Sequence, residues 1–167
     1  MKDIWLELKN RILEVPEIKV VDLLRNQFAE TEKNHPLDYP AVLLHFDNMT
    51  FVQYSMGVQL CNCTLNVLLA CEKYADFASY SQDANEALQI FDIHDKVYAK
   101  LQGFAGLDET SVIAAPMQRI NEVQDTNYNH IYVFVMGFEL TFYEQAVGLT
   151  TEYSPVNLGL ITTKDIF

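Results

Sequence analysis

Val58-Gln-Leu-Cys-Asn-Cys-Thr-Leu-Asn-Val-Leu-Leu-Ala-Cys71 decides the fold class of this chain. Every second residue from Gln59 gives Cys61, Cys63, Leu65, Val67, Leu69 and Cys71, an almost wholly apolar row. The other row, Val58, Leu60, Asn62, Thr64, Asn66, Leu68 and Ala70, is polar at its centre. Side chains alternate across a strand, so this pattern is a half-buried β-strand with one greasy face. At ~3.3 Å per residue it spans roughly 45 Å. A compact chain of this size has a diameter near 40 Å, so such a strand reaches the limits of its own domain. Strands that overhang their domain call for a neighbour.

Working outward, Ile131 to Tyr143 repeats the design with Tyr132, Phe134, Met136, Phe138, Leu140 and Phe142 on one face. The opposite face begins Ile131, Val133, Val135, so its first half also needs cover. Gly137 in the middle marks a bulge or bend. Upstream, proline at 40 forces Tyr39 into an extended conformation that launches a strand over Ala41 to Phe46. Asp47 to Gly57 then reads as a long connection loaded with Met49, Phe51, Val52, Tyr54 and Met56. Solvated loops seldom carry so many bulky residues. Met49, Phe51, Tyr54 and Met56 are therefore the candidate interface residues, because such side chains are enriched where proteins meet.

Two helices complete the plan. Ile4, Trp5, Leu8 and Ile12 form one stripe, with Asp3 and Glu7 near the positive helix start, and Pro16 stops the run. Ala84, Ala87, Leu88, Phe91, Tyr98 and Leu101 recur at helical spacing behind a Ser81 or Asp83 cap, and Gly103 ends that helix. Between the first helix and Tyr39, Ile18, Val20 and Asp22 alternate as a strand, whereas Val21, Leu24 and Phe28 fit a helix; a strand at the start is the reading taken. Residues 29–38 form a polar loop, and 74–80 a short link. Val112 to Val123 is a strand broken at Pro116, hence an edge or bulged one, followed by a turn at 125–129. The expected class is α+β: a mainly antiparallel sheet with long hairpins, packed against two helices. Residues 1–147 form a single domain, and 148–167 a mostly uncharged C-terminal extension.

Composition excludes several functions. The 167 residues carry 11 Lys and Arg against 23 Asp and Glu, a net charge of −12. Phosphate affinity comes mainly from Lys and Arg, which argues against unaided nucleic-acid binding. No apolar run approaches the ~20 residues of a membrane span, and the N-terminus enters a helix without a signal-peptide core. Cys61, Cys63 and Cys71 share one strand face, where free thiols of a reducing compartment act as small hydrophobes. Cys61-Asn62-Cys63 lacks the x₂₋₄ spacing and second pair of a structural zinc site. His35, His45, His94 and His130 share no ligand spacing, and His94, beside Asp92 and Asp95, reads as part of a solvated helix side. Gly103-Phe104-Ala105-Gly106 follows a helix, whereas a phosphate cradle precedes one. No nucleophile elbow or metalloprotease motif is present. The expectation is a protein with no catalytic, cofactor-binding or metal site.

The order of pieces resembles a known family. Ile4–Leu13, Asp38-Tyr39-Pro40-Ala41-Val42, Val58–Cys71, Asn85–Leu101 with Gln102-Gly103, and Asp125–Tyr143 are similar to the tail-terminator (tail-completion) proteins of long-tailed bacteriophages and prophages. The resemblance runs to about Val147 and rests on the order and length of elements. It implies a structural virion assembly protein: a hexameric ring that caps the tail tube, stops its growth and joins it to the head or connector. The implied partners are further copies of the chain, tail-tube proteins and head-connector proteins, with DNA passing through the lumen without specific binding. The implied location is the host cytoplasm during assembly and the virion tail or neck thereafter. No cofactor and no catalysis are implied. The alternative reading from the residues is a small-molecule or peptide-binding α+β module, using the aromatic cavity between sheet and helix.

Overall fold

The computed structural model describes residues 1–25, 27, 37–72, 84–106, 111–125 and 131–145, with side chains from Leu88 onward in the second helix. The elements run α1 (Lys2–Ile12), β1 (Val20–Leu23), β2 (Ala41–Ser55), β3 (Val58–Glu72), α2 (Ala84–Leu101), β4 (Gln118–Asp125) and β5 (Ile131–Gln145). The expected 29–38 loop (apart from 37–38), the 74–80 link, the Ser81 or Asp83 cap, the 126–129 turn, His35, His130 and the 148–167 extension lie outside the described residues.

One five-stranded sheet runs in the order β1-β2-β3-β5-β4. All its pairs are antiparallel except β1 with β2. The α+β expectation holds. β3 and β5, each 15 residues long, pair in unbroken register from Val58 with Gln145 to Glu72 with Ile131. At ~3.3 Å per residue this central ladder is about 50 Å long.

Period-2 patterning delivers the core. Cys61, Cys63, Leu65, Val67, Leu69 and Cys71 of β3 are buried, as are Phe134, Met136, Phe138, Leu140 and Phe142 of β5. Register places these two rows on the same sheet face. They share one apolar cluster with Ile4, Leu8 and Ile12 of α1 and Ile90, Val97 and Leu101 of α2. Each such side chain contributes roughly 1.5–3 kcal/mol on burial. Three ion pairs clamp the helical layer: Lys100 and Arg11 both reach Glu14, and Lys96 reaches Glu17.

Three expectations need correction. The run from Asp47 to Gly57 is not a connection: β2 continues to Ser55, and the turn is only Met56-Gly57, with Gly57 at φ 76°. Alternation fails here because β2 carries an extra residue between Asp47, paired with Thr64, and Thr50, paired with Asn62. Asn48 sits there at φ 52°, its amide donating to the Asp47 carboxylate at 2.8 Å. One added residue swaps which parity faces the core. The bulge expected at Gly137 lies instead in the partner strand, between Arg119 and Asn121 of β4. A Cβ at Gly137 would stand 2.2 Å from the Asn121 side-chain oxygen, so the Asn121 side chain packs into the space the glycine leaves. The third correction is the phase of α2, whose buried stripe is Ile90, His94, Val97 and Leu101, leaving Leu88 and Phe91 exposed.

The strand expected over 112–123 splits at Pro116. Its first part bridges β5, with the Tyr143 amide donating to the Val112 carbonyl and the Ala114 amide to the Thr141 carbonyl. Its second part is β4, the sheet's edge, exposed at every residue but Asp125.

Candidate functional site

The candidate interface residues gather at one end of the sheet. β1 covers the outer side of β2 only from Ala41 to Leu44. From His45 to Ser55 the strand borders β3 alone among the described strands. Met49, Phe51, Val52, Tyr54 and Met56 are 42%, 45%, 58%, 64% and 91% exposed. A cluster of large apolar side chains on an open strand edge costs a lone molecule solubility and suits a partner.

The bulge distributes these residues over both faces. Phe51 pairs with Cys61 and so lies on the helix-covered face, whereas Val52 pairs with Leu60 on the other. A second irregularity between Gln53 and Ser55 brings the Tyr54 ring to 5.1 Å from that of Tyr143. The Tyr54 hydroxyl holds Tyr143 protonated to higher pH than an ordinary phenol, with burial a lesser cause. The tip is stapled by polar contacts: Thr50 Oγ1 donates to the Asn62 carbonyl at 3.3 Å, and the Gln53 amide donates to the carbonyls of Ser55 and Val58. The N-terminal amine of α1 reaches Glu144 of β5 at 2.6 Å beside this end. The tip is therefore a defined two-sided blade. Of the residues that stand out in three dimensions, Val52 was legible as part of the bulky run but not separable from it.

The charged strand residues on the sheet face away from the helices are all acidic, although Asp22 is ion-paired at 2.7 Å with Arg25 just beyond β1. Register puts Asp22, Asp47, Glu72, Asp125 and Glu139 on it, and no lysine or arginine on that face of any described strand. Arg119 of β4 stands on the opposite face, its guanidinium 3.9 Å from the Tyr98 ring centre. The charged strand side chains on this face would repel a polyanion, although Ala41, Leu43, Ala70 and Val133 on the same face are buried.

No described group of three or more His, Cys, Asp or Glu side chains is placed to hold a metal ion. Cys63 and Cys71 are pushed up to about 12 by burial, and the Cys61 thiol also rises through burial. Thiols so placed are poor nucleophiles at neutral pH. His94 departs from its expected place on a solvated helix side: it is the buried polar side chain of the described core, 7% exposed. Its position at the spacing of Ile90, Val97 and Leu101 is the signal that could have revealed this. No described helix is long and apolar enough to cross a membrane.

No protein-family profile matches this chain, and no curated protein does. Among solved structures it is similar to a chain of a structure described as the virion of a native gene transfer agent particle. The TM-score is 0.54 at 9% identity, over 84% of this chain and 96% of that one. At such identity the likeness is one of fold, and it takes in nearly the whole of the virion chain.

Proposed function

We propose that this protein is a structural component of a phage-like virion and acts as a tail terminator. Copies close into a hexameric ring that caps the tail tube and joins it to the head or connector. The observation that carries the reading is the fold likeness to a virion chain across 96% of that chain's length. Three features support it. The sequence order of elements resembles tail terminators, the β2–β3 end offers an exposed apolar surface for a neighbouring copy or the tail tube, and the helix-free face is acidic. That acidic face lines the lumen, where DNA must slide without sticking. Assembly takes place in the host cytoplasm, the ring stays in the virion tail or neck, and the role needs neither cofactor nor catalysis. The 148–167 extension makes further contacts with neighbours.

Native mass spectrometry of the purified chain over a wide concentration range tests this reading. The expected result is a hexamer that persists on dilution. A strict monomer at every concentration contradicts ring formation by the chain alone and favours the binding-module alternative.

A further inference from the structure

His94 is the one buried polar side chain of the described core, and its surroundings are specific. On α2 itself, Asp95 Oδ1 lies 3.1 Å from the His94 Nδ1. From β4, Glu122 Oε1 lies 2.9 Å from Nε2, off the direction of an aligned hydrogen bond. The other Glu122 oxygen accepts from the Arg119 guanidinium at 2.5 Å. From β5 the Phe134 ring faces the imidazole, 5.5 Å between centres. Carboxylates therefore face both ring nitrogens, with Arg119 as the nearby cation.

A neutral imidazole has one N–H and one lone pair. Whichever tautomer it adopts, one nitrogen presents its lone pair to a carboxylate oxygen at about hydrogen-bond distance. Only the imidazolium offers an N–H to each. We infer that His94 is a proton-operated latch that fastens the edge strand β4 to helix α2, holding Glu122 and Asp95 together when protonated and holding Glu122 more weakly when neutral, because a single N–H must then serve two carboxylates.

β4 is the place in the sheet where such a latch has consequence. Among the described strands it pairs on one side only, with β5, and all of its residues but Asp125 are exposed. It is also tied to the helical layer by the Arg119 amide donating to Gln102 Oε1 at 3.0 Å and by the Arg119 stack on Tyr98. Losing the Glu122 contact weakens that attachment. The latch thus makes the firmness of one sheet edge responsive to pH, whatever that edge meets in the assembled particle.

Hydrogen exchange of the β4 amides, corrected for intrinsic rates and compared at about pH 5.5 and about pH 8, tests this within the interval where histidines change charge. The expected result is protection of residues 118–125 greater at the lower pH by roughly fivefold, the effect of a partly exposed charge pair. The Val58–Cys71 amides serve as the reference and hold constant. His94→Gln and Glu122→Gln are each expected to abolish the pH dependence. Glu122, on the exposed strand, keeps the test decisive where His94→Gln disturbs the core. Equal β4 protection at both pH values in the wild type, or a pH dependence that survives Glu122→Gln, would overturn the inference.

Discussion

The two halves of the β2–β3 hairpin share one ladder and have opposite environments. At the base, Val42, Leu44, Leu65, Val67 and Leu69 are fully buried under the helices. Beyond the bulge at Asn48, β2 is exposed from Asp47 to Ser55 although it is as rich in large apolar side chains. The base holds the monomer together because burial is where apolar residues stabilise. The tip gains little from being apolar in the monomer, so its composition points outside the molecule.

Substitutions should separate the two halves sharply. Phe138→Ala, at a ring with no exposure beneath α2, is expected to cost about 3–5 kcal/mol in chemical unfolding. Deleting Asn48 removes the extra residue and flips the tip parity, at an expected cost of about 1–3 kcal/mol. NMR contacts between the Tyr54 and Tyr143 rings should disappear with it. A deletion variant that kept those contacts would break the claim that the bulge sets the faces.

Smaller effects sharpen the contrast by titration. Cys63 and Cys71 favour the neutral thiol when folded, so their contribution is complete below the ordinary value of 9.0 and is lost as pH rises towards about 12. Unfolding midpoints measured upward from about pH 9 should fall, and less so in a Cys71→Ala background. The least effect is expected at the tip. Tyr54→Phe should lower the titration of Tyr143 in an ultraviolet pH scan, with stability changed by no more than roughly 0.5 kcal/mol.

Much of this contrast was written in the sequence. The β3 and β5 rows were legible because neither strand contains a bulge, so parity holds from end to end. β2 was legible only to Phe46. Past that point one left-handed residue, Asn48, resets the alternation, and a strand then looks like a loop. The bulky residues there stood out in the sequence all the same, and the structure leaves Met49, Phe51, Val52, Tyr54 and Met56 exposed. α2 misled in another way. Leu88 and Phe91 are apolar but exposed, and His94 is polar but buried, so hydrophobicity alone set the helix phase wrongly. The spacing of His94 with Ile90, Val97 and Leu101 marked the buried stripe, but the Glu122 carboxylate that faces the imidazole comes from β4, a tertiary circumstance the local sequence does not show.

The most direct test of the tip as an assembly surface is sedimentation velocity of Phe51→Asp/Tyr54→Asp beside the wild type, with thermal unfolding run on the same samples. The expected result is a wild type that sediments as a ring and a variant that sediments as a monomer with an unfolding temperature of its monomeric fold unchanged. A variant that assembles like the wild type would contradict the assignment of the β2–β3 tip.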